Sequence, residues 1–236
     1  MDPQLLPLLP LWYVVFLLSV TCHEAAHAWA AARGGDPTAY HGGQVSLNPL
    51  PHIQREPLGT VLVPLMSFFL FSSADEGRWM IGWASAPYDP FWEDRHPRRA
   101  AAMAAAGPAA NLLLALLGFV ALKVGLATSL WTVPDLPAFD LLVDATDAAG
   151  SPWEALGRFC SVLFSLNLIL CLFNLLPIPP MDGASVVSGL FEPARRLRDR
   201  MGQQPMFGLL GLIVAWRVFP YLLIPVYVGI RAWLYG

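Results

Sequence analysis

The chain has 236 residues, of which 56% are hydrophobic and only 13% charged, with a formal net charge of −3. A typical soluble domain carries roughly 25% charged residues. The composition therefore points to an integral membrane protein, and the weak net charge gives nucleic-acid binding no electrostatic support.

A helix needs roughly 20 apolar residues to cross a bilayer. The first such run, residues 5–32, ends at Arg-Gly-Gly-Asp, where Gly34 and Gly35 stop a helix. It lacks a basic start and leads into His-Glu rather than a cleavage site, so it reads as a retained membrane helix. The Gly- and Pro-rich YHGGQVSLNPLPHI follows, and its alternation over Gln44, Val45, Ser46 and Leu47 predicts a small membrane-associated β-hairpin. Residues 58–71 are apolar but short and contain Pro64, which predicts a re-entrant segment. Two polar loops, 74–99 and 129–152, bracket a second long apolar run over 101–128. A third run, 155–176, stops at PIPPMDG. The basic stretch 192–201 is expected along the membrane interface. A last apolar run, 206–230, carries Pro220 and Pro225 as kink positions. Cys22, Cys160 and Cys171 sit in apolar runs as packing residues, not as a disulfide framework. The expected fold class is an all-α polytopic membrane protein of about four to six membrane helices, with a re-entrant segment and a small hairpin. It reads as a single domain over 1–236, with its core at about 13–190 and a basic interfacial segment and C-terminal membrane helix after it.

Inside the first apolar run stands HEAAH, residues 23–27. His23 and His27 are four apart, which puts them on one helix face about 6 Å apart along the axis. Both imidazoles can then reach one metal ion, and Glu24, turned by about 100°, can act on a water without being a ligand. Ionisable groups within a membrane helix mark function by default; the bland reading is polar glue between helices. A catalytic zinc takes three protein ligands and keeps one open position. Asp182 is the best third candidate: it follows an apolar helix in a Pro- and Gly-rich break, and irregular backbone at membrane depth is tolerated where it lines a cavity. Taken alone, that stretch would read as a helix terminator with Asp182 in a turn.

HEAAH, GPAANLLLAL and FNLLPIPPMDG, in this order, resemble the site-2 protease family of intramembrane zinc metalloproteases. GGQVSLNPLPHI, PLGT and GWASAPYD resemble its compact bacterial branch, which lacks PDZ and CBS domains. The resemblance covers about residues 13–190. It implies one Zn2+ per chain held by His23, His27 and Asp182, Glu24 as the catalytic base, and polar support from Asn111 and Asn174. The family's common Asn-Pro-Asp-Gly is Pro-Met-Asp-Gly here, a variant that keeps the ligand. The implied reaction is hydrolysis of peptide bonds within or near transmembrane segments of membrane-protein substrates, in regulated intramembrane proteolysis. The alternatives are a non-catalytic zinc-binding relative and a metal-binding transporter. Asn111 reads either as oxyanion support or as a helix–helix hydrogen bond. Gln44–Leu47 reads either as an edge for an extended substrate or as a plain hairpin. His41 and His52, in the same loop, read as surface or interfacial histidines in preference to gates of the site. The oligomeric state is left open.

A metal ion joins groups at one depth only. The C-terminal ends of the first and third long helices must therefore face one side, which holds only if 58–71 re-enters. Residues 33–99 and 177–204 hold ten arginines, whereas loop 129–152 holds no Lys or Arg but Asp135, Asp140, Asp144 and Asp147. The positive-inside rule then predicts an active site toward the cytoplasmic side of a bacterial inner membrane, with an external N-terminus.

Overall fold

Apolar residues fill nearly every turn of α1 (Leu5–Gly34), a 30-residue helix. It ends in a Schellman turn: Gly35 takes φ +98°, the Gly35 N–H reaches Ala32 O at 3.2 Å and the Asp36 N–H reaches Ala31 O at 2.9 Å. The computed structural model describes residues 5–71, 79–147, 150–202 and 205–236.

Two short helices follow, α2 (Thr38–His41) and α3 (Leu50–Arg55). Residues 45–47 form bends and no residue of 44–47 is in a strand, contrary to the expected hairpin. Their alternation has a different cause: Gln44 is buried, and its amide donates to Ser85 O at 3.1 Å, so it faces the protein as a polar plug and not as a strand residue. His52 is also corrected. It is fully buried and donates from Nε2 to Ser46 O at 3.1 Å, whereas His41 is exposed.

A π-helical turn (Leu58–Leu62) continues into α4 (Val63–Phe71). Together they rise about 21 Å, short of the roughly 30 Å hydrocarbon layer. The chain then comes back along them. The Ile81 N–H meets Ser67 Oγ at 2.9 Å, the Trp83 N–H meets Gly59 O at 3.0 Å, and Ser85 Oγ donates to Glu56 Oε1 at 2.6 Å. The outgoing residues 59 to 67 thus face the returning residues 83 to 81, so the chain doubles back along this segment, the path that a re-entrant segment requires.

α5 (Pro90–Arg95) is capped by the Asp89 carboxylate and leads into α6 (Pro97–Ala127). After α6, β1 (Trp131–Thr132) and β2 (Asp144–Ala145) form a two-stranded antiparallel sheet, with Trp131 opposite Ala145. The small sheet therefore exists, but in the acidic loop. Ser151 caps α7 (Pro152–Asn174) by accepting from the Glu154 N–H, the Glu154 carboxylate accepts from the Gly150 N–H just before the cap, and Pro152 stands in the first turn. α8 (Asp182–Leu190), α9 (Glu192–Gly202) and α10 (Pro205–Tyr235) complete the chain. Among the described residues, four helices are long and apolar enough to cross a membrane: α1, α6, α7 and α10.

α6 lies between α1 and α7. Arg99 and Trp92 both donate to Gly34 O, at 3.1 and 3.0 Å, which ties the start of α6 to the end of α1. At the other end Trp131 Nε1 donates to Trp153 O at 2.9 Å, beside the start of α7. One apolar cluster joins α1, α4 and α7 through Phe16, Phe68 and Val162. Another joins α6, α7 and α10 through Phe119, Phe164 and Tyr227. The up-and-down path returns the C-terminal end of α7 to the side where α1 ends.

Candidate metal centre

His27 lies seven residues before Gly34, so about 10 Å of helix separates it from the end of α1. Asp182 opens α8, past the PIPP break after α7. The path of the chain brings them together. His23 Nε2 lies 3.1 Å and His27 Nε2 3.4 Å from Asp182 Oδ2, and the two Nε2 atoms are 2.9 Å apart. All three ligand atoms fall within 4.8 Å of one another, and both histidines are buried.

The partners of the other ring nitrogens decide what these atoms can do. His27 Nδ1 faces Met103 O at 2.7 Å, a carbonyl that can only accept, so Nδ1 carries the proton. His23 Nδ1 faces Asn111 Oδ1 at 2.5 Å. The Asn111 amide is oriented by its own contacts: its Nδ2 donates to Asn167 Oδ1 at 2.8 Å and to Ser19 O at 3.4 Å. Asn167 is oriented in turn, with Nδ2 donating to Leu163 O and to Ser19 Oγ, both at 2.8 Å. Each imidazole therefore donates from Nδ1 and turns the Nε2 lone pair toward Asp182. With Nδ1 engaged on the far side of each ring, two Nε2 atoms and a carboxylate oxygen converge, a donor set that can close around a cation. Gly107 completes the cradle, since a Cβ there would fall on the Nε2 atoms of His27 and His23. Two imidazoles and one carboxylate are also a donor set that zinc takes at catalytic sites.

Glu24 is buried beside His23 on α1, outside the ligand set. Asn111 is fully buried, and its amide hydrogens point at Asn167 and Ser19, which makes it the orienting partner of His23 and leaves no N–H for an oxyanion. Asn174 ends α7 and donates to Leu170 O of its own helix at 3.0 Å; no contact joins it to the metal group among the described residues. Gln44, Val45, Ser46 and Leu47 contribute no ligand either. Ser19, Asn167 and the Met103 carbonyl are the participants that reading by motif misses. The available signal was polarity: Ser19 and Asn167 are uncharged polar residues deep in apolar runs, where an unpaired group is expensive.

Asp36, just past α1, anchors the neighbouring loops. Its carboxylate accepts from the Thr38 N–H, the Thr38 hydroxyl and the Asp89 N–H. Burial acts to raise its pKa, and these hydrogen bonds outweigh burial and hold it below the usual carboxylate value.

A helical membrane protein with a His–His–Asp group that could hold a metal ion, and a neighbouring carboxylate, thus emerges. The sequence model of Peptidase family M50 matches residues 11–215. The chain is 33% identical over 214 residues to "Putative zinc metalloprotease YwhC" of Bacillus subtilis (strain 168), covering 89% of this chain and 81% of that protein. It is 27% identical over 181 residues to "Putative zinc metalloprotease Rip2" of Mycolicibacterium smegmatis, covering 75% of this chain and 56% of that protein. No solved structure matches. The chain belongs to Peptidase family M50, the site-2 protease family that its motifs resemble.

Proposed function

We propose that this protein is an intramembrane zinc metalloprotease that hydrolyses peptide bonds within or near the transmembrane segments of membrane-protein substrates, in regulated intramembrane proteolysis. The observation that carries this reading is the convergence of His23, His27 and Asp182 within 4.8 Å, with Glu24 beside them in a membrane helix. One zinc per chain would be held by His23 Nε2, His27 Nε2 and the Asp182 carboxylate, and would supply Lewis acidity toward water and the scissile carbonyl.

The chain's own groups do the rest. Asn111 and Met103 O engage both imidazoles at Nδ1, which leaves Nε2 as the nitrogen turned toward the metal position. Glu24 takes the proton of the attacking water and passes it to the leaving amine nitrogen. The position of the site near the end of α1 keeps water within reach. The apolar walls of α1, α6 and α7 exclude it from elsewhere.

Charge supports a cytoplasmic orientation. Arg33, Arg55, Arg95, Arg98, Arg99, Arg195, Arg196, Arg198 and Arg200 lie on the metal-centre side, and Arg78 falls outside the described residues. The opposite side holds Lys123, Arg158 and Arg231, together with the acidic loop. Positive-inside then puts the metal centre toward the cytoplasm of a bacterial inner membrane.

Cleavage of a membrane-helix substrate by the wild type and by Glu24→Gln tests the reading. The variant is expected to lose about 10²- to 10⁴-fold in rate, the usual worth of a general base, while keeping its zinc. Equal rates would overturn the assignment of Glu24.

A further inference from the structure

The family match ends at residue 215, and an unexplained charge lies just beyond it. Arg217 stands within the apolar run of α10, twelve residues after Pro205 and about 18 Å along the helix. Its depth follows from a contact at the far end. Lys123 of α6 donates to Trp233 O of α10 at 2.8 Å, and the two helices run in the same direction, both starting on the metal-centre side. Sixteen residues back along α10 is Arg217. Sixteen back along α6 is Gly107, which faces His23 and His27. Arg217 is therefore level with the metal centre to within about a turn.

Its neighbours turn it outward. Trp216 and Phe219 pack on Phe173 of α7, with ring centroids at 6.5 and 5.1 Å. Arg217, between them on the helix, is exposed, and no hydrogen bond or ion pair holds it among the described residues. One turn on, on the same face, Tyr221 is 83% exposed and also without a partner among the described residues. Leu210, Ile213 and Ile224 complete this outward stripe. A guanidinium and a phenol turned to lipid at this depth are costly, and such groups mark functional contacts.

Among protein groups, the one that pairs a guanidinium with two parallel hydrogen bonds and opposite charge is a carboxylate. A second copy of this chain cannot supply one: the carboxylates within the four membrane helices are Glu24, buried at the metal centre, and Glu154, in the first turn of α7 at the opposite end. The surface also adjoins the site. At Gly211, α10 touches the carbonyl of Pro179, three residues before Asp182, so closely that a Cβ would fall on that oxygen.

We infer that the Arg217–Tyr221 face of α10 is a docking surface for the membrane helix of the substrate, which it recognises by a carboxylate at the depth of the metal centre. Naming the occupant as substrate rests on the protease reading above; the choice of a carboxylate does not. The test uses the full chain in lipid vesicles with model membrane helices that differ only in bearing Asp, Leu or Lys at that depth. The wild type is expected to cleave the Asp helix about tenfold better than the Leu helix, the usual scale of an interhelical polar contact. In Arg217→Gln this ratio falls to about one, and in Arg217→Glu preference moves to the Lys helix. Ratios within one variant are unaffected by partial loss of folded protein. The same ratio in the wild type and both variants overturns the proposal and leaves Arg217 reaching lipid phosphates. A photoreactive residue at Ile213 in Glu24→Gln supplies a readout without cleavage. Capture of the Asp helix that depends on Arg217 supports docking. If such capture occurs while the wild type cleaves none of the helices, docking stands and the protease reading falls. Capture indifferent to Arg217 overturns docking.

Discussion

The polar groups around α1, α6 and α7 and those on α10 follow opposite rules. In the first region His23, Asn111, Asn167 and Ser19 form one buried string in which each donor meets an acceptor. On α10, the least buried of the four membrane helices, Arg217 and Tyr221 face outward without partners among the described residues. Inside a bilayer no water satisfies a stray polar group. A closed string therefore orients a site, and an open group waits for something that arrives. Arg217 also lies past the residues that the family model matches.

The contrast can be broken at its strongest point first. Asp182→Ala should abolish retention of zinc, because two imidazoles remain without the carboxylate that completes the catalytic donor set; metal content of the purified protein would fall from one per chain to near zero. A variant that keeps full zinc would show that Asp182 is not a ligand. Weaker but more diagnostic is Asn111→Leu. It removes no ligand, yet frees the His23 ring, and loss of such an orienting partner lowers metal affinity or activity by about 10- to 100-fold. Zinc affinity by competition with a chelator measures it, and an unchanged affinity would break the string as a functional unit. Next comes the preference for an acidic helix assigned to Arg217, at about tenfold. If Asn111→Leu altered that preference while Arg217→Gln did not, the two regions would not be separate.

The smallest expected effect is at Asp36. Its folded pKa is depressed, so its hydrogen bonds stabilise the protein fully above the ordinary carboxyl value of about 3.9. That stabilisation is lost as pH falls through the lower folded value. Proteolytic nicking of residues 36–56 should therefore be flat at neutral and mildly acidic pH and rise below about pH 4. Asp36→Asn should remove that step; a step that persists would belong to another group.

Much of the membrane plan was legible from run lengths, since about 20 apolar residues define a crossing helix wherever they pack. The four long runs became α1, α6, α7 and α10, and the chain doubles back along the short Pro64 run. The β-hairpin was misplaced because alternation is an ambiguous signal over four residues: Gln44 alternates as a buried plug, while the actual strands at 131–132 and 144–145 are too short to show a period. His52 was misread because burial of one imidazole in a Gly- and Pro-rich loop depends on what folds over it.

By itself the sequence determined what is local. The spacing of His23 and His27 puts them on one helix face through the 3.6-residue turn, and Gly34 and Gly35 end that helix about two turns beyond His27. Those consequences need no distant residue. Only the tertiary structure decided that Asp182, 159 positions from His23, arrives at the same depth, that Asn111 is engaged by Asn167 and Ser19, and that Arg217 is level with Gly107. These are distances between separate helices. They are set by how α1, α6, α7 and α10 pack, and helix packing depends on side-chain fit across interfaces that no single stretch of chain contains.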